Sequence, residues 1–431
     1  MGRNMNASHS RVSLRTDNSP PSSYRWVILA LAWLATFVTF IDRLAWANVA
    51  PSASATFGLP VAALGCFVTS FYIGYVAANA VTGFLTDRIG ARLSLPLALF
   101  PLGALTFSFG YANSVTYGVV IQCLMGLAAG VDYAGAVKLV AGWFDVRHRA
   151  RAVGIILTSM SAGVVVANTS IPRALRFAQW SMIYHALGIS TALVAVLCAL
   201  MLRNAPAGKA VLQKRTTAKE VLALFRNKNL WLTTIAGFGA CWGSIGFVFW
   251  ANVLMQKGLG LSSVESGTVS TVFGAVSLIG APMVGMLSDW IGGPRKWLTA
   301  FVLLAMGCGL SVFGHLKSLQ ALEIAAALLG VMTFGWGALI ASIITEIVGV
   351  RLAASAIGVS NAAFQVGSVL VPLAVGMVFQ STHSFNLAFM TLAIGPIVGG
   401  VAVLAVREGL AANLIEEAPN RERSGVMAPT K

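Results

Sequence analysis

A chain of 431 residues that is 57% hydrophobic and only 10% charged, with a mean hydropathy of +0.80, is not a water-soluble globule. Soluble domains carry roughly 25% charged residues, and one buried core cannot account for such a deficit. The net charge of +15 does not indicate nucleic acid, because the basic residues fall between apolar segments. The five cysteines all lie inside apolar segments without CxxC or Cys/His spacing, which excludes a disulfide framework and a metal-binding cluster as readings.

A lipid-crossing helix needs about 20 apolar residues and satisfies its own backbone, whereas barrel strands alternate in polarity. The apolar runs here are long and do not alternate. After a polar tail over 1–24, they predict helices at 26–49, 61–82, 93–112, 116–142, 152–172 and 180–202. The first helix continues through Asp42 and Arg43, so it is expected to remain in the protein and not to be cleaved as a signal peptide. A basic linker over 204–228 follows. A second set is predicted at 230–254, 266–288, 297–315, 320–344, 353–380 and 386–406, then a charged tail over 408–431. The expected fold is an all-α integral membrane protein, with twelve transmembrane helices in two pseudo-symmetric six-helix bundles at 25–203 and 229–407.

With both termini cytoplasmic, 23 of the 29 Lys and Arg residues lie inside; Arg173, Arg176, Lys257 and Lys317 lie outside. Arg43 and Lys138 lie within spans. That asymmetry follows the positive-inside rule and predicts a multi-pass plasma-membrane protein, in bacteria the inner membrane.

The loop after the second helix reads Gly83-Phe-Leu-Thr-Asp87-Arg88-Ile-Gly90-Ala-Arg92. Its counterpart after the eighth, Gly285-Met-Leu-Ser-Asp289-Trp-Ile-Gly292-Gly-Pro-Arg295, begins 202 positions later. Weaker echoes follow helix four (Asp145 to Arg151) and helix ten (Glu346 to Arg351). Six plus six helices with matching loops indicate internal duplication, a common transporter plan. The first loop resembles the G-x-x-x-D-R-x-G-x-R signature of the major facilitator superfamily. That resemblance implies a conformational latch made by Gly83, Asp87, Arg88, Gly90 and Arg92, with Asp289 in the second copy.

Ionisable groups inside spans are functional candidates, since lipid makes them expensive. Asp42 and Arg43 lie in helix one and Asp132 and Lys138 in helix four, with His185 in helix six a further candidate. Adjacent residues on a helix point about 100° apart, so Asp42 and Arg43 cannot simply neutralise each other. Arg43 offers a guanidinium fork to an anionic substrate. Asp42 and Asp132 are candidate proton carriers, and Lys138, nearer the cytoplasmic end, a possible gating residue.

A narrower resemblance follows from Thr39-Phe-Ile-Asp42-Arg43, Phe71-Tyr72-Ile-Gly74-Tyr75, the run from Gly126 through Lys138 to Trp143-Phe144, and Gly358-Val-Ser-Asn361 with Gln365. These are similar to the anion:cation symporter family, whose members carry sugar acids and other organic anions with protons. The resemblance implies substrate contacts at Arg43 and Tyr75, a proton site at Asp42, and polar contacts at Asn361 and Gln365. Gln122 stands where that family usually has an arginine, and Ala129 where it often has a glutamate; Asp132, three residues on, is placed to substitute for the latter.

The function expected is proton-coupled uptake of a small carboxylate or sugar acid by alternating access. Proton-coupled efflux of a drug or metabolite is the alternative. No enzymatic nucleophile–base pair or phosphate-binding loop is recognisable, so no catalysis, cofactor or metal is expected. The expected partners are the anion, protons and the bilayer, with no nucleic acid, and the chain is expected to be a monomer.

Overall fold

The structure is a computed structural model that describes residues 23–144, 146–203, 224, 226–292 and 294–407. Residues 1–22 of the expected N-terminal tail (1–24), the C-terminal tail 408–431 and most of the linker, 204–223, fall outside the described residues. The first half contains α1 (Tyr24–Phe57), α2 (Val61–Ile89), α3 (Ala91–Phe109), α4 (Val115–Ala129), α5 (Asp132–Trp143), α6 (Val146–Ala174) and α7 (Trp180–Met201). The second contains α8 (Lys228–Leu259), α9 (Ser263–Ile291), α10 (Arg295–Phe313), α11 (Leu319–Thr333), α12 (Trp336–Val348), α13 (Val350–Thr382) and α14 (Phe385–Leu404).

Among the described residues, ten helical stretches are long and apolar enough to cross a membrane, counting Leu319–Val348 as one; Ala63–Asn79 and Val115–Ala129 are shorter apolar helices. The set is consistent with twelve crossings. Two crossings differ from the sequence expectation, because the helices predicted at 116–142 and 320–344 are each broken in the middle. The first break falls at Gly130-Val131 and the second at Phe334-Gly335, about one duplication length apart. At both, glycine meets a neighbouring helix: a Cβ on Gly130 would lie 2.5 Å from the Ala78 Cβ, and one on Gly335 2.7 Å from that of Val284.

Several helices also outrun their apolar cores. α1 continues to Phe57, where Gly58 turns left-handed at φ +61° and donates its N–H to the Ser54 carbonyl. α9 starts with a capping box in which Ser262 and Glu265 bond each other's backbone N–H.

Helices in lipid gain little from burying apolar surface against one another, so contact depends on close packing. Each half is built around an aromatic nucleus. Phe109 packs on Tyr184 at 4.6 Å in the first, and Phe313 on Phe389 at 4.8 Å in the second. These pairs sit 204 and 205 positions apart. The duplication therefore extends into the core.

The halves meet along three helix pairs, α2 with α13, α6 with α9, and α1 with α8. The hydrogen bonds across this seam, among the described residues, run from the middle of the molecule to the end where α1 finishes. Thr69 donates to the Val369 carbonyl (2.8 Å), Thr169 and Thr271 bond each other (2.9 Å), and Ser277 donates to Ser161 (3.3 Å).

Candidate functional site

The site begins with a helix crossing. α2 lies directly on α4 because Gly74 and Gly126 face the other helix's backbone; a Cβ on either would collide with the Cys123 or Phe71 carbonyl. This crossing presents Phe71, Tyr72 and Tyr75 toward α1. There Arg43 lies 4.3 Å from the Tyr75 ring centre, 5.2 Å from Phe40, 5.5 Å from Phe71 and 5.8 Å from Tyr72. Phe71 and Tyr75 are themselves stacked, 6.3 Å apart and 15° from parallel. A guanidinium over aromatic faces is held by the ring quadrupoles while its fork stays available. The Arg43 Nε and the buried Tyr72 hydroxyl have no hydrogen-bond partner. Arg43 and Tyr75, paired by the sequence reading, are thus together in the fold.

The two acidic residues are in different places. Asp132 opens α5 immediately after the Gly130 break, buried beside Thr39 and within electrostatic reach of Arg43. Its Oδ1 is unpartnered. Asp42 points the other way, between α3 and α7. Its Oδ2 accepts from Thr191 (2.7 Å) and Thr106 (3.4 Å), with Tyr184 nearby. Gln122, at the position where the resemblance has an arginine, is buried beside Tyr184 and brings no charge to this pocket. The 100° separation of Asp42 and Arg43 has sent them into separate environments.

The second-half candidates reach the site from a distance. Gln365 accepts from Ser368 (2.9 Å), Ser368 adjoins Cys241, and Cys241 adjoins Tyr72. Phe249 of α8 meets the Tyr72 ring edge-on at 5.8 Å. Asn361, one turn before Gln365, is exposed.

The side chains of the signature-loop residues Asp87, Arg88 and Asp289, and Gly83 with them, lie outside the described residues. Gly90 joins α2 to α3 at φ +86°, and Arg92 is exposed. Lys138 donates to the Thr86 carbonyl (3.0 Å), next to Asp87 in sequence, so it is tied to the signature loop's helix and not to Arg43. In the second copy Arg295 pairs with Glu346 at 2.6 Å. His185 sits far from the site, against Phe107 and Tyr111.

One buried polar feature joins the two halves, and no charge within the spans singles it out. Asn252 donates to Asn48 (2.9 Å) and Asn168 (2.7 Å), and accepts from Ser270 (2.6 Å). The cluster spans α1, α6, α8 and α9, and so both halves. Its signal was available: Trp-Ala-Asn-Val occurs at 46–49 and again at 250–253, 204 positions on. The Asn48–Asn252 bond therefore joins equivalent positions of the two halves. A buried polar group left without its partner costs about 1–3 kcal/mol, and 1.4 kcal/mol is about tenfold in an equilibrium. Asn252→Ala strands three such partners and is expected to loosen this end. In a background free of the native cysteines, maleimide labelling of Ala50→Cys in the seam should accelerate about tenfold.

Two helical bundles joined along one seam, with a cation and a carboxyl at mid-membrane depth, define a membrane transporter. The chain matches the Major Facilitator Superfamily over residues 32–372 and belongs to that family, whose members are transporters and not enzymes. Its relatives include a probable L-galactonate transporter of Escherichia coli, 23% identical over 84% of each chain. A hexuronate transporter of Bacillus subtilis is 23% identical over 88% of this chain and 92% of its own. A gallate transporter of Pseudomonas putida is 24% identical over 67% and 71%. Among solved structures, the fold matches a bacterial homologue of the lysosomal transporter Spinster (TM-score 0.73, 17% identity, 95% of this chain and 100% of that one). It also matches a D-xylose-proton symporter (TM-score 0.75, 16% identity, 89% and 98%).

Proposed function

We propose that this chain carries a small organic anion, a carboxylate or sugar acid, into the cell together with protons by alternating access. The observation that carries the reading is Arg43, framed by aromatic rings and accompanied by Asp132, at the depth where the two halves meet. The relatives named for galactonate, hexuronate and gallate transport support an anionic substrate. Symport with protons draws support from the acid beside the cation.

An ionised Asp132 competes with the substrate for Arg43. Protonation removes that competitor and frees the guanidinium fork. The anion then binds best to the protonated transporter, and loss of the proton on the other side expels it. Such a device shifts conformations only through unequal affinity for the two states. With both termini cytoplasmic, as the basic-residue distribution supports, the end of the seam held by the Thr69, Thr169 and Asn252 hydrogen bonds faces outward. Arg43 and Tyr75 serve as primary substrate contacts, Gln365 and Asn361 as second-half contacts on closure, and the Gly83–Arg92 loop, with Lys138 on its helix, as the cytoplasmic latch.

Proteoliposomes with an acidic exterior should accumulate a carboxylate that is carried, and collapsing the proton gradient should stop accumulation. Accumulation driven only by an acidic lumen would establish efflux instead.

A further inference from the structure

We infer that the anion bears one negative charge on a flat, largely apolar body: a planar monocarboxylate with one or two hydroxyl groups at most, and not a dicarboxylate or a polyhydroxylated acid. This deepens the proposed function and rests on it.

Charge comes first. Arg43 and Lys138 are the basic residues within the membrane spans. Lys138 is six residues beyond Asp132, bonded to the Thr86 carbonyl at the end of α2. One guanidinium therefore meets the ligand, with the Asp132 carboxyl beside it. A second negative charge on the ligand would find no second cation there, only the Asp132 carboxyl. A buried charge without a partner costs several kcal/mol, which defines a monoanion site.

Shape comes second. Phe40, Phe71, Tyr72 and Tyr75 all present rings within 5.8 Å of the guanidinium, and Phe249 closes on Tyr72 from the other half. An anion that reaches Arg43 has its body among ring faces and edges. Such walls reward flat apolar surface, stacked or edge-on.

Hydrogen-bonding capacity comes third. Among the buried atoms beside Arg43, its own Nε, the Tyr72 hydroxyl and Asp132 Oδ1 lack a partner, while the Thr39 hydroxyl is taken by the Ala35 carbonyl. Rings outnumber polar groups around the guanidinium, and each ligand hydroxyl buried without a partner costs about 1–3 kcal/mol.

The test uses the purified full chain in detergent. Its thermal midpoint is titrated with 4-hydroxybenzoate, terephthalate, galactonate and galactarate, for the wild type and for Arg43→Ala. The expected result is stabilisation by 4-hydroxybenzoate at concentrations at least tenfold below those of the other three, absent from Arg43→Ala. Equal or tighter binding of terephthalate or galactarate through Arg43 overturns the single charge, and of galactonate the flat body, while leaving an anion transporter in place. No stabilisation by 4-hydroxybenzoate also overturns the inference. The anion reading itself stands or falls on the gradient-driven uptake assay.

Discussion

Arg43→Ala is expected to lower kcat/KM for anion uptake by two to three orders of magnitude. The ligand carboxylate would then be buried without a cation, and breaking a buried charge pair costs about 3–5 kcal/mol. The effect should fall on transport and not on folding, because a cation over aromatic rings contributes only about 0.5–2 kcal/mol. Arg43→Lys separates charge from geometry. Lysine keeps the positive charge as a compact, strongly hydrated point and loses the planar fork and the ring contacts. Its uptake should lie between the wild type and alanine. Initial rates in proteoliposomes at equal protein content provide the measurement. Uptake by Arg43→Ala at wild-type rates would remove the centre of the proposed site.

Asp132→Asn is expected to separate transport from its driving force. The amide cannot ionise, so it never competes for Arg43 and never carries a proton across. Exchange of labelled for unlabelled anion should survive, whereas accumulation against a gradient should fall to the level without a pH difference. Stimulation by external acid should disappear with it. Asp42→Asn is the decisive comparison. Its carboxyl is bonded to Thr191 and Thr106 in a pocket that Arg43 does not enter. Acid stimulation that survives in Asp42→Asn and is lost in Asp132→Asn assigns the coupling proton to Asp132. The opposite pattern assigns it to Asp42.

The crossings and the duplication were legible because lipid imposes long apolar runs and because two loops repeat with the same spacing. Membership of the superfamily followed from the signature loop. The breaks at Gly130 and Gly335 were not legible, since a glycine inside an apolar run is the same letter whether it marks a helix contact or an interruption. The pairing of Arg43 with Tyr75 could be read from the resemblance, but the aromatic enclosure could not. It depends on α2 lying against α4, which Gly74 and Gly126 permit. The separation of Asp42 from Arg43 was foreseeable from helix geometry. That Asp132 would be Arg43's acidic neighbour was not, because it depends on where the break in the fourth crossing falls. Asn168 and Asn252 were legible only as uncharged polar residues within their spans; that Asn252 bonds Asn48 of the other half was not, because asparagine carries no charge to mark it.

The break before Asp132 has a mechanical consequence. Gly130 and Val131 keep helical dihedrals but loosen the regular hydrogen bonding at that point, which sets off α5, Asp132–Trp143, as a twelve-residue segment. Near its start sits the carboxyl beside Arg43, and six residues along it Lys138 grips the last turn of α2. At 1.5 Å per residue, these handles are about 9 Å apart on a rigid strut. A small rotation of the strut that adjusts the fit around Arg43 must also pull on the carbonyl beside the signature loop. In the proposed mechanism, occupancy beside Arg43 and closure at the cytoplasmic face are coupled through this one short helix.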